Sequence, residues 1–327
     1  MKSFHKISIT IFGVLVLLLQ MNCGNLTGSN NNDDSNRTLL IAAAAVLNSS
    51  ASSSTGSSCS SATSTGSTIT PTTATLDATT GCVTGVTTCL DKALPSWIKD
   101  NFKCVVGYVS GTNYIIKSKN LPNTKSYYYT SYTGMTASTT APLYEGLPSG
   151  NSKAGTNVVK SLTLTYTIPA TPSKGSGTVS TQGGYVSVGV TLNGLAVFNN
   201  AAAAPDVLAD EALTFDNYQG HPQNSGVYHH HAGVPKVCSN TANTSNSGAC
   251  KENNKLIGVA LDGYPIYSQF DSTGKAPTLD SFQGTTSVTT EFPNGTYNYR
   301  YAYNSTATIN SLLSSFFYGN VGSVSDK

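Results

Sequence analysis

The chain has 327 residues, only 10% of them charged, with 18 Lys and Arg against 16 Asp and Glu and a net charge of +2. A nucleic-acid partner needs clustered cations to neutralise phosphates; no such cluster occurs, which excludes that class. The length admits one large or two modest domains, and Ser, Thr, Asn and Gly supply the polarity, a surface common in exported β-proteins.

Lys2 and Lys6 precede an apolar stretch, Ile7 to Leu19, broken by Ser8, Thr10 and Gly13. This is the layout of a secretory signal peptide, and it is shorter than the roughly 20 residues a spanning helix needs. It ends in Leu19-Gln20-Met21-Asn22-Cys23-Gly24, which resembles a bacterial lipobox of the looser spirochaete kind. The resemblance implies cleavage after residue 22 and lipid on Cys23, diacylglycerol with palmitate-type chains. It places the protein in the bacterial cell envelope, held at the outer membrane through that anchor. A plain signal peptide, with Cys23 incidental, is the alternative.

From Gly24 to about Gly81 the chain is dominated by small polar residues, including Asn30-Asn31-Asn32-Asp33-Asp34 and Ser52-Ser53-Ser54-Thr55-Gly56. Such sequence buries too little apolar surface to offset its ordering entropy. It reads as a flexible tether, with Leu39 to Leu47 forming a helical turn or two. The expected organisation is a signal peptide at 1–22, a lipidated tether at 23–89 and a β domain at 90–327.

With Cys23 carrying lipid, six cysteines remain: Cys59, Cys82, Cys89, Cys104, Cys238 and Cys250. An even number in an exported chain points to disulfides. Cys238 and Cys250 flank the polar loop Ser239 to Ala249 and form the preferred pair. Cys82, Cys89 and Cys104 lie close together, and Cys59 completes the set; spacing leaves the connectivity open. A thiolate zinc site would call for a Cys-x-x-Cys pair, which is absent.

Leu94 to Phe102 reads as a short helix with Pro95 in its first turn. Leu162, Leu164, Tyr166 and Ile168 alternate with threonines, the period-2 pattern of a half-buried strand. Val186, Val188, Val190 and Leu192 repeat it before the hairpin signal Asn193-Gly194. A second short helix is expected over Pro205 to Leu213. Ile257, Val259 and Leu261 give a third strand closed by Asp262-Gly263, and Tyr297, Tyr299, Tyr301 and Tyr303 a fourth. The expected fold is mainly β: an antiparallel β-sandwich or barrel-like domain with long loops and one or two short helices.

Four of the five histidines fall within His221 to His231, in the string His221-Pro222-Gln223-Asn224-Ser225-Gly226-Val227-Tyr228-His229-His230-His231. If Val227 to Ala232 is a strand, His229 and His231 share one side and His230 takes the other. Turn formers between Pro222 and Gly226 would fold His221 back beside that strand. Three converging imidazoles suit zinc or copper, with Asp216 or Asp262 as fourth ligand or orienting partner. A structural polar network and general acid–base catalysis are the alternatives. Asp262 can equally cap its own Asp-Gly turn. Asp206, Asp210, Glu211 and Asp216 offer oxygens to calcium but lack the loop spacing that ion requires, which favours a solvated surface.

These strings resemble the YHYH family of exported bacterial proteins. The likeness runs from Leu94 to the C-terminus and is strongest from Asn193 to Tyr303. Its carriers are Leu192 to Asn199, Phe215-Asp216 leading to Gly220-His221-Pro222, Gly226 to His231, and Leu256 to Tyr267. His230 stands where the motif has its second Tyr. A second family motif corresponds to Tyr297-Asn298-Tyr299-Arg300, where both histidines are missing. If the family site drew on both motifs, Arg300 would repel a metal or leave it to the first motif alone. The resemblance fixes the domain type and implies no activity.

Three functions follow. The leading one is a lipid-anchored β domain binding a transition metal through the histidines. The second is a surface interaction protein with structural histidines, presenting Tyr127-Tyr128-Tyr129-Thr130-Ser131-Tyr132 as its contact patch. The third is a hydrolase of unknown substrate using His221 or His229 as base; no Gly-x-Ser-x-Gly elbow, His-Glu-x-x-His or phosphate loop supports it.

Overall fold

The computed structural model describes residues 59–62, 68–151, 155–231 apart from 183 and 185, 252–301 and 313–326. Cys23, the signal peptide, Leu39 to Leu47, Cys238, Cys250 and Tyr303 lie outside them. The first strands are β1 (Cys89–Leu90), β2 (Val105–Ser110), β3 (Asn113–Ser118), β4 (Tyr132–Thr133), β5 (Thr136–Ala137) and β6 (Leu164–Pro169). Next come β7 (Gly189–Thr191), β8 (Ala196–Val197), β9 (His221–Pro222), β10 (Tyr228–His230) and β11 (Leu256–Ala260). The last are β12 (Pro265–Tyr267), β13 (Gly284–Ser287), β14 (Thr296–Arg300) and β15 (Ser323–Asp326). Two helices stand where the sequence puts them: α1 (Ser96–Lys99), and α2 (Leu208–Glu211), which tightens into a 3-10 turn over Ala212–Thr214.

The strands form a five-stranded sheet, ordered β1-β2-β3-β6-β15, and an eight-stranded sheet, ordered β13-β14-β12-β11-β7-β8-β10-β9, with β4-β5 apart. Neither large sheet closes on itself among the described residues, so the arrangement is sandwich-like. Most pairings are antiparallel, but β1–β2, β8–β10 and β12–β14 are parallel. The alternation in β6 is realised: Leu164, Tyr166 and Ile168 are fully buried while the intervening threonines are half-buried. Those side chains share one core with Val188, Val190, Ile257, Val259 and Leu261 of the larger sheet. Each such burial is worth about 1.5–3 kcal/mol.

The Val186 to Leu192 segment departs from the half-buried pattern. Its strand is buried at every position and central in the larger sheet, with β11 on one edge and β8 on the other. Asn193-Gly194 makes the expected hairpin, with Gly194 at φ +82° and Val190 opposite Ala196. Asp262-Gly263 turns β11 into β12, with Gly263 at φ +88°.

Two sequence expectations are corrected by packing. Tyr128, Tyr129 and Thr130 are buried, so Tyr127 to Tyr132 is no exposed patch. Tyr129 donates to the carbonyl of Pro122 at 2.7 Å, and Tyr128 donates to that of Thr214. Residues 68–89, assigned to the tether, carry part of a second core, in which Ala74, Cys82, Val83 and Val86 pack with Leu121, Tyr128, Tyr129 and Tyr228.

Two disulfides resolve part of the cysteine pairing: Cys59–Cys89 and Cys82–Cys104. The second closes 22 residues of sequence inside that core. Its removal in a Cys82→Ala, Cys104→Ala variant is expected to cost about 3 kcal/mol, chiefly by freeing the unfolded chain. Denaturant unfolding of the two proteins measures this; a difference below about 1 kcal/mol would refute it.

Candidate functional site

The histidine hairpin is built from two turns. In the first, Asp216 Oδ1 accepts from the backbone N–H groups of Tyr218 at 2.8 Å and Gly220 at 3.3 Å. Its Oδ2 accepts from the Tyr228 hydroxyl at 2.9 Å. A Cβ on Gly220 would meet the Tyr228 ring at 2.3 Å, so glycine is required where the turn passes this aromatic. His221 follows in β9. Gly226, at φ +91°, closes the second turn with its N–H on the carbonyl of Gln223 at 2.8 Å.

The chain then returns as β10, where His229 pairs directly with His221. Strand alternation aims His229 and His231 at the side of His221. His230 points the other way, its Nδ1 3.1 Å from the carbonyl of Gln219. Buried Asn120 locks β10 to β8, donating to the carbonyl of Tyr228 at 3.0 Å and accepting from the N–H of Ala196 at 2.9 Å.

Hydrogen bonding fixes the tautomer of all three converging rings. His229 Nδ1 lies 3.0 Å from the carbonyl of Val227, and His231 Nδ1 2.8 Å from that of Asn199. A carbonyl only accepts, so each Nδ1 carries the proton and each Nε2 the lone pair. For His221, Thr214 Oγ1 is 2.6 Å from Nδ1 and also 2.6 Å from the carbonyl of Glu211. One hydroxyl proton satisfies both contacts only if it goes to that carbonyl, so Thr214 accepts from His221 Nδ1–H. The third lone pair is therefore also on Nε2.

The three rings lie close together. The donor nitrogens of His221, His229 and His231 all lie within 4.8 Å of one another. The Nε2 atoms of His229 and His231 are 3.0 Å apart, and His221 Nε2 is buried without a protein hydrogen-bond partner. Burial holds His221 and His229 well below the usual imidazole range, with neighbouring imidazoles adding to it. Burial likewise pushes His231 down to about 4. At neutral pH no proton sits between the rings to relieve the facing lone pairs. Phe198 stacks on His229 with centroids 3.7 Å apart, and Phe215 meets His221 edge-on at 4.9 Å, so aromatic rings pack against both imidazoles.

Three preoriented imidazole nitrogens can hold a metal ion. Zinc–nitrogen bonds of about 2.0–2.1 Å put two tetrahedral ligand atoms about 3.3 Å apart. The 3.0 Å contact between His229 and His231 is close to that edge; His221 has a short distance to close.

Asp216 and Asp262 are not brought to these nitrogens. Asp216 spends both oxygens on the first turn and on Tyr228. Asp262 accepts from the Tyr299 hydroxyl and from the N–H groups of Gly319 at 2.9 Å and Tyr264 at 3.4 Å. Burial raises both carboxyls to about 6.

The carboxylate that does reach the histidines is Glu211, whose Oε2 is 3.3 Å from His231 Nε2. With His231 neutral and its lone pair on Nε2, an ionised Glu211 sets two acceptors face to face, while a protonated one can donate to Nε2; Oε2 has no other hydrogen-bond partner. Desolvation, then the charge of Asp206, raises the carboxyl to about 7. A cleft of ≈ 330 Å³ opens beside it, lined by Tyr128, Asn157, Asp206, Glu211, Thr214 and His221. The sequence shows Glu211 only within an acidic stretch; its route to the site runs through α2 and a 3-10 turn, which no spacing rule encodes.

Residues 165–276 match the YHYH protein family. That stretch is a YHYH domain. No curated protein and no solved structure matches the chain. The YHYH domain contains all three histidines, Glu211, Asp216 and Asp262, and starts well after Leu94. The proposed second motif, Tyr297 to Arg300, lies beyond the match and is built into β14. In the larger sheet β14 is five strands from β10, about 24 Å at the usual strand spacing. Arg300 is therefore no threat to a metal on the histidines. It is buried, donates to the carbonyls of Phe270 at 2.8 Å and Ser268 at 3.2 Å, and lies over the Tyr267 ring at 5.3 Å.

Proposed function

We propose that this chain is an exported, lipid-anchored protein whose YHYH domain binds zinc or copper through His221, His229 and His231. The observation that carries the reading is the cluster of three buried imidazoles whose ligand nitrogens lie within 4.8 Å of one another, each with its Nδ1 engaged by a neighbour. Buried acceptors left without donors cost free energy, and a divalent cation removes that cost at all three together. Zinc and copper are favoured because neutral imidazole suits both. The anchor on Cys23 rests on the signal-like N-terminus. Elemental analysis of the purified chain after dialysis against limiting zinc or copper tests the reading. One ion per chain is expected; binding no stronger than that of a denatured sample would overturn it.

Burial also sets the pH of release. It disfavours the charged imidazole, so protons compete with the ion at lower pH than the 6.5 of a free histidine. With His231 down at about 4, bound zinc is expected to persist from pH 7 to about 5.5 and to leave as the pH approaches 4. A chromogenic chelator follows the release; a midpoint near 6.5 would contradict the site.

A hydrolytic role for the same ion is the second reading, favoured by the cleft that reaches His221. Metal-dependent cleavage of a small activated ester, absent in the apoprotein, would support it.

A further inference from the structure

The geometry points to Glu211 as the fourth protein ligand, making a site of three imidazoles and one carboxylate. This inference rests on the metal-binding reading and extends it. Four observations converge. Glu211 Oε2 is 3.3 Å from His231 Nε2, about the edge of a tetrahedral zinc site. Oε2 is buried and has no hydrogen-bond partner. Thr214 holds the Glu211 carbonyl and the His221 ring with one hydroxyl, so the carboxylate and a histidine ligand are fixed to the same short segment. The Asn151 side chain further ties that segment down, donating to the carbonyl of Phe215 at 2.7 Å.

Charge supplies the reason for a carboxylate here. Three neutral imidazoles leave a dication with its full double charge in a largely desolvated site, which is costly. One carboxylate halves the net charge. The other acids are committed elsewhere: Asp216 to its turn and Tyr228, Asp262 to Tyr299 and Gly319. Asp206 lines the cleft beside Glu211. A donor set of three nitrogens and one hard oxygen keeps zinc and copper as candidates and excludes the soft, thiolate-seeking ions. Glu211 and His221 both line the same cleft.

The test uses the purified chain loaded with cobalt(II), whose visible absorption reports coordination number and donor set. Glu211→Gln keeps the size of the side chain and removes its charge; Glu211→Asp keeps the charge and withdraws it by one methylene. Glu211→Gln is expected to lower cobalt and zinc affinity by about 10–100-fold and to change the cobalt spectrum, with Glu211→Asp between it and the parent. The metal-free melting temperature of each variant shows that the fold survives. A parent that binds cobalt with a spectrum and affinity unchanged in Glu211→Gln would overturn the role of Glu211 and leave the three-histidine site standing. A parent that binds no cobalt, zinc or copper would overturn both.

Discussion

Replacing His229 with alanine is expected to lower zinc affinity by more than about 100-fold, since loss of a mere orienting partner of a metal ligand already costs 10–100-fold. His229 is central in the site: it pairs with His221 across the hairpin and faces His231 at 3.0 Å. Its loss leaves two imidazoles and the Glu211 carboxylate, a weaker donor set in competition with buffer. The sharper readout is thermal. Zinc at about 1,000 times its dissociation constant stabilises the parent by about 4 kcal/mol, which for a domain of this size is on the order of 10 °C in Tm. His229→Ala should show almost none of that gain. The substitution sits on a short strand near the sheet edge, and β9 and β8 still flank its backbone, so the metal-free fold should persist by circular dichroism. An equal zinc-induced rise in the two proteins would remove His229 from the site. No rise in either would argue that the histidines are structural.

Gly258→Ala is expected to be the most damaging single substitution in the larger sheet. Gly258 follows a bulge in β11 and pairs with β7 on one side and β12 on the other. A Cβ there would stand 2.2 Å from the carbonyl oxygen of Val190 and 2.9 Å from the Cα of Thr191. These are backbone atoms of a central strand, so no side chain can rotate aside. The β7–β11 ladder must open, weakening the bond from Leu192 N–H to the carbonyl of Ile257, now 2.9 Å. A loss above about 3 kcal/mol is expected, roughly 10 °C in Tm. Gly111→Ala is the control: its added methyl meets nothing within 4 Å, and its φ of +57° is the only obstacle. That substitution should cost about 1 kcal/mol. Comparable losses for the two glycines would show that backbone closeness in β11 is not what Gly258 serves.

Local signals carried much of this fold. Alternation placed Leu164, Tyr166 and Ile168 on one face, because period 2 is a property of the strand itself. Asn193-Gly194 and Asp262-Gly263 named their turns because the positive φ they supply is demanded locally. The convergence of His221, His229 and His231 was legible for the same reason: a tight turn and a short strand lie within eleven consecutive residues. What stayed hidden depends on distant chain. Glu211 reaches His231 through α2 and the Thr214 hydroxyl. Arg300 looked threatening to a metal until the strand order put β14 five strands away. Tyr128 and Tyr129 looked exposed because their polar neighbours gave no hint of the second core formed with residues 74–86. The pairing of Cys59 with Cys89 depends on the 3-10 turn at Cys59–Ser61 and β1 both lying against β2, contacts without a sequence signature.

The Cys59–Cys89 bond also decides how the molecule bears a pull. Tension arriving from residues before Cys59 crosses the sulfur bridge to β1, and residues 60–88 are bypassed. The bridge spans a sequence separation of 30; with it alone reduced, the load would pass along the chain to Cys82, which its own bond holds to Cys104, so at most about 80 Å of slack could be released. In its oxidised form the pull enters the domain at β1 of the five-stranded sheet, whereas β9 and β10 of the histidine hairpin belong to the eight-stranded one.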